Sequence, residues 1–196
     1  MAENKIAGHE WVDLGLPSGL KWATCNVGAN TPEEFGFFFS WGETTRLKKS
    51  YNHENSINYG KSFKKLNNQG IIDMNGNLLS QHDAAHSFWG MTWRLPTVDE
   101  IVELINHTSS EWTKRNHLNG CLIISRKNGN SIFLPAAGCF SERAYHYLDE
   151  HCFYWSSSVD KGDSNYAYAL SINEEHFPEK DSYRLYNGFP IRAVSK

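Results

Sequence analysis

The segment GCLIISRKNGNSIFLPAAG, Gly120 to Gly138, limits the fold most. Two apolar runs flank Asn128-Gly129, the pair that supplies the two positive-φ residues of a type I′ turn, so the spacing predicts an antiparallel hairpin. WVDLGLPSGLKWATCNVG, from Trp11, alternates apolar and polar residues around Pro17-Ser18-Gly19 and reads as a second hairpin. CFYWSSS, YAYALSI and GFPIRAV, starting at Cys152, Tyr166 and Gly188, read as three further short strands. FGFFFSWGE, Phe35 to Glu43, reads as buried structure.

Two helices interrupt the strands. Gln81 to Trp89 is short and stops at Gly90. In PTVDEIVELI, Thr97 stands at the N-cap and Glu100 three residues on, a capping box, with Val98, Ile101, Val102 and Ile105 on one apolar face. Residues 44–80 are polar, rich in Asn, Lys and Tyr, and read as a long loop with a small hairpin at Asn75-Gly76. The basic stretch from Arg46 to Lys65, with Lys48, Lys49, Lys61 and Lys64, lacks a helical stripe and reads as solvated loop. Strands, two helices, then strands predict one α+β domain with antiparallel sheet over 10–196, preceded by a tail at 1–9.

Composition excludes several classes. A net charge of −3 gives no electrostatic reason to expect nucleic acid or an anionic membrane, and no apolar run approaches the ~20 residues of a span. The N-terminus lacks a signal-peptide h-region, which places the chain inside a cell or particle unless a leader precedes it. Cys25, Cys121, Cys139 and Cys152 form no C-x-x-C pair and read as buried thiols, with one disulfide open if the protein is secreted. No P-loop, G-x-G-x-x-G or G-x-S-x-G occurs, and no cofactor is expected.

One metal motif needs weighing. HDAAH puts His82 and His86 four residues apart, a spacing that chelates zinc on a helix, with His107 or Glu103 as third ligand. The intervening acid is Asp, shorter than a metalloprotease Glu, and the helix is brief, so surface histidines are the expectation. His151 and Cys152 are neighbours on a strand, point to opposite faces and form no dyad. Elsewhere, seven of nine tyrosines fall between Tyr145 and Tyr186, among many charged and amide side chains. Tyrosine offers rigid contact area at low entropy cost, as binding surfaces use it, although strand tyrosines also serve as framework, the reading for Tyr154 and Tyr168.

Taken together, EWVDLGLPSGLKWATCNVGA, WGE, DAA followed by WGMTWRLPTVDEIVELI, NGNSIFLPAAG, YWSSS and GFPIRAV stand in an order that resembles the major paralogous domain first named from Fibrobacter and abundant in gut Bacteroidetes, from about Glu10 to Val194. The resemblance implies a C-type-lectin-like fold, two helices packed on short antiparallel sheets, shared with formylglycine-generating enzymes and with variable proteins of diversity-generating retroelements. It also implies secretion or surface attachment. Trp22, Trp41, Trp93, Trp155, Gly138, Gly188 and Arg192 fall to framework, with Arg192 bonding buried backbone or a carboxylate. The paired reactive cysteines of formylglycine-generating enzymes and the calcium motifs of true C-type lectins have no counterpart here.

In such a fold the final strand closes the core and the loops before it share one face. The expectation is therefore a non-catalytic binding module, adhesin-like or a retroelement-diversified receptor. It would recognise a protein or glycan ligand through Arg143, Tyr145, Tyr147, Asn165, Tyr166, Tyr183, Arg184, Tyr186 and Asn187. The alternatives are an enzyme using His82 and His86 or Cys152, and a structural surface or pilus-tip-like subunit.

Overall fold

Cys152-Phe153-Tyr154-Trp155 places large side chains at successive positions, so a strand there must be buried on both faces. The computed structural model, which describes residues 4–46 and 51–196, shows how. Strand β9 (His151–Val159) pairs with β10 (Tyr166–Asn173), which pairs with β11 (Glu179–Arg184), all antiparallel. Phe153, Trp155, Ala167 and Ala169 face one core with Trp41, Trp93 and Phe189. Cys152, Tyr154, Leu170 and Ile172 face a second core with Leu14, Trp22, Ile101 and Leu134. Two apolar clusters thus share one central sheet.

The chain is mixed α+β, built of small antiparallel sheets and few helices. One sheet runs β1 (Lys5–Ile6), β2 (His9–Asp13), β3 (Lys21–Ala23) and the last strand, β12 (Val194–Ser195). The stretch expected as a tail therefore contributes structure from Lys5 onward, and Ile6 accepts a hydrogen bond from Trp93 Nε1 at 2.9 Å. The Pro17-Ser18-Gly19 turn is tied to a helix, α3 (Val98–His107), by Ser18, whose amide and hydroxyl both donate to Glu103 at 2.9 and 2.5 Å. The capping box forms as the sequence predicts, and Glu100 also takes a two-pronged bond from Arg94 at 2.7 and 2.6 Å. Burial on its own raises the Glu100 pKa, but Arg94 and the Thr97 amide outweigh it and hold the carboxyl below its ordinary value.

The third sheet corrects the turn chemistry. Strand β5 (Leu118–Ser125) pairs with β6 (Ser131–Pro135) as expected, but through five intervening residues, and Asn128 lacks the positive φ that a type I′ turn needs. Asn128 and Asn130 instead donate to the Asp13 carbonyl at 3.0 and 2.8 Å, so tertiary bonds shape the loop. Two positive-φ residues in a row occur one turn earlier, at Asn116 and His117, joining β5 to a strand with no apolar signature, β4 (Thr108–Arg115). The fourth sheet is β7 (Cys139–Ser141) with β8 (Ala144–His146).

Within 44–80 the Asn75-Gly76 turn closes a one-bridge hairpin, Ile72 to Leu78, while residues 63–68, read as loop, form α1 (Phe63–Asn68) capped by Ser62. Lys64 and Lys65 lie on that helix, and Lys48 and Lys49 lie outside the described residues. Gly188 to Ile191 do not continue as strand; Phe189 makes a single bridge to Phe39, and regular pairing resumes only at β12.

The fully buried Arg192 ties these pieces together. Its Nε donates to Asn26 at 2.9 Å, Nη1 to the Ala23 and Thr24 carbonyls at 3.2 and 2.7 Å, and Nη2 to the Phe133 carbonyl at 2.9 Å. Backbone and an amide, not a carboxylate, therefore satisfy it. Burial pulls its pKa down, against the nearby Tyr154 hydroxyl. Replacing Arg192 by Met would orphan those oxygens, and urea denaturation should show a loss of about 3–5 kcal/mol. Glu100 gives a pH-dependent counterpart. Its depressed carboxyl stabilises the fold above the unfolded-state pKa, and that contribution disappears as pH falls through the folded value. The stability advantage over Glu100→Gln should be full at pH 7 and shrink on acidification below the usual carboxylate range.

Candidate functional site

Residues 183–187 run from the end of β11, at Arg184, into a turn. Tyr183 points inward, with Phe153 and Phe189 rings each 5.2 Å away and its hydroxyl 3.1 Å from Ser171 Oγ. Burial pushes its phenol up to about 12. Arg184 points out, Leu185 is fully buried, and Tyr186 is half-buried. Within β11 the opposite facing of Tyr183 and Arg184 follows from the strand period of two; beyond it the turn is held where the Trp41 amide donates to the Leu185 carbonyl at 2.9 Å.

The outward residues meet partners from two other segments. Arg184 is directly opposite Tyr166 in the β10–β11 register, with its guanidinium 5.2 Å from that ring. Its Nη1 donates to the Tyr59 hydroxyl at 2.6 Å. The Tyr59 and Tyr186 rings meet at 5.2 Å and 67°, and His53 lies within 6.5 Å of both. Asn165 Oδ1 accepts from the Gly60 amide at 2.9 Å, which holds the Tyr59 loop against β10. Tyr59 above all, then Tyr166 and Tyr186, keep the Arg184 pKa raised against a small burial effect. Burial raises Tyr186 and Arg184 lowers it, with a net upward shift to which Glu142 contributes.

The expected set therefore divides. Tyr166, Arg184 and Tyr186 converge, with Asn165 as a positioning residue and Asn187 closing the turn by donating to the Arg184 carbonyl at 3.0 Å. Arg143 stands exposed at the β7–β8 turn, and Tyr145 on β8 is 55% exposed over Phe140 and Phe38, at 4.7 and 5.3 Å. Tyr147 packs beside His151 and Phe153 at 5.4 and 6.2 Å. Tyr183 is framework, a correction to its place among display residues. Tyr59 and His53 come from the polar region read as plain loop. The available signal there was a tyrosine in Asn-rich sequence.

The β7–β8 hairpin adjoins the cluster through Tyr51, which exchanges backbone bonds with Glu142 at 2.9 and 2.8 Å, and through Phe140, which does the same with Gly188 at 2.8 Å. A side chain at Gly188 would press on the Tyr51 ring, 2.8 Å from a Cβ there.

The other candidate chemistry has structural employment. His82 ends a 3₁₀ turn (Ser80–His82), while His86 belongs to a separate helix, α2 (Ala84–Trp89), so the two do not share a helix face. Asp83, buried between them, accepts from the amides of His86 and Leu95 at 3.0 and 2.8 Å. Among the described residues no three His, Cys, Asp or Glu side chains group to hold a metal. All four cysteines are free thiols. Cys152 donates to the Leu134 carbonyl at 3.2 Å, and burial drives its pKa well up. Burial also raises Cys121 to about 12 and Cys139 to about 11. Two cavities of about 350 and 300 Å³ lie away from the tyrosines, one beside His86 and Arg94, the other beside His9 and Cys25.

No helix is long and apolar enough to cross a membrane among the described residues. Comparison of the chain with protein-family models, curated proteins and solved structures finds no match.

The inward and outward positions should separate in stability measurements. Tyr183→Ala removes a ring from the aromatic core and should cost about 3 kcal/mol, whereas Arg184→Ala should leave the melting temperature nearly unchanged. Thermal unfolding followed by circular dichroism checks both.

Proposed function

We propose that this chain is a non-catalytic binding module of C-type-lectin-like architecture, related to the Fibrobacter-type paralogous domain. It presents its ligand face at Tyr59, Tyr166, Arg184 and Tyr186. The supporting observation is that one guanidinium and three phenols, from three separate segments, converge at the surface while the neighbouring Ala167 and Leu185 are locked into the core. Display of rigid aromatic and arginine side chains from a fixed sheet is how recognition surfaces are built. The last strand, β12, pairing with β3 to close the chain on itself, agrees with the fold that the sequence resembles. A thiol enzyme through Cys152 would need a thiolate where burial maintains a thiol. An adhesin-like surface domain and a retroelement-diversified receptor both use such a face. The second would place codon variation at these tyrosines, against a near-copy of the gene's 3′ end.

A glycan array and a panel of purified surface proteins should yield a ligand. Arg184→Ala with Tyr186→Ala should weaken that ligand at least tenfold while thermal unfolding stays unchanged. Equal binding by the folded double variant, or no ligand in either screen, overturns this reading.

A further inference from the structure

We infer that the ligand of this face is a saccharide carrying a carboxylate; the inference rests on the binding face proposed above. The guanidinium of Arg184 is held in place without being neutralised. Tyr59 takes one Nη1 proton and the Tyr166 ring covers a face, yet no carboxylate pairs with Arg184 among the described residues. The nearby acid, Glu142, is engaged by Asn52 Nδ2 at 3.2 Å and forms no ion pair with Arg184 among the described residues. That leaves the Nε–Nη2 edge of Arg184 without a partner among the described residues. Its two parallel N–H groups match the two oxygens of a carboxylate, a geometry that an ammonium does not reproduce.

The surroundings favour a sugar over a protein. Tyr59 and Tyr186 meet at 67°, so the two rings cannot both lie flat in the surface and instead make a corner. The hydroxyls of Tyr166 and Tyr186 have no protein partner among the described residues, and Tyr59 keeps its own proton to donate. A pyranose presents a C–H face for stacking and a rim of hydroxyls for such groups. A protein hot spot would instead sit in a well-packed, desolvated pocket, whereas His53, Asn52, Asn165 and Asn187 border this corner and neither cavity described above reaches it.

The test is isothermal titration with a panel of defined oligosaccharides: uronic-acid and sialic-acid types, their methyl esters, sulfated analogues and neutral counterparts. At least one carboxylated member should bind, and methyl esterification should weaken it tenfold or more. Arg184→Gln should weaken the acid by a similar factor and the ester by much less, and Arg184→Lys should restore only part of the loss. Binding should also fall between 50 and 500 mM salt. Equal affinity for acid and ester, preference for the sulfated analogue, or equal loss of both by Arg184→Gln overturns the carboxylate assignment. No binding to any panel member overturns the saccharide assignment. A purified protein bound through Tyr186 in its place does the same, while leaving the binding-module reading intact. Saccharide binding insensitive to both Arg184→Gln and Tyr186→Ala sinks that reading too.

Discussion

Arg192 is a fully buried guanidinium with no carboxylate paired to it among the described residues. Its donors reach the end of β3, the Asn26 loop and strand β6, segments far apart in sequence. A group so buried is tolerated only when its protons are matched by oriented oxygens, so each of those segments is confined to one arrangement. The tryptophans work similarly. Trp41, Trp93 and Trp155 each donate to a carbonyl of another segment at 2.9 Å, which converts apolar bulk into directional constraints. The irregular stretch Gly188–Ile191 holds its course through isolated backbone bonds to Phe140, Phe39, Trp155 and Val27 rather than through continuous pairing.

Rigidity of this kind is what the surface cluster needs. Leu185 and Tyr183 are inside because the aromatic core around Phe153 and Phe189 claims them. Arg184 is outside because its strand neighbour Tyr183 is inside, and Tyr186 follows in the turn that the Asn187 amide closes on the Arg184 carbonyl. Tyr59 is brought to them by the Asn165–Gly60 bond. The face is thus preformed, and little ordering entropy would oppose ligand binding.

Local chemistry was legible wherever it did not compete with distant partners. Thr97 and Glu100 form their capping box, and CFYWSSS, YAYALSI and the Pro17-Ser18-Gly19 hairpin appear where patterning puts them. Asn128-Gly129 misled because Asp13 and Leu14 recruit that loop, with Ser125 Oγ donating to the Leu14 carbonyl at 2.6 Å. HDAAH was read as surface histidines on one helix, and the single helix is what fails, because Asp83 serves as the cap that starts α2 after the turn holding His82. In the candidate site, Tyr166, Arg184 and Tyr186 were legible as a polar-aromatic cluster. Tyr183 was not distinguishable from its neighbours, and α1 carries too few apolar residues to show a period.

By itself, the sequence determined the antiparallel α+β character, the principal helix and strands β2, β3, β5, β6, β9 and β10, because turn preferences, caps and apolar alternation act over a few residues. Tertiary structure alone decided which tyrosines face outward, that Tyr59 joins Arg184, and that Asp83 belongs to the framework. Those outcomes depend on which distant carbonyl or ring occupies the space opposite, and a one-dimensional pattern carries no information about what lies across the core.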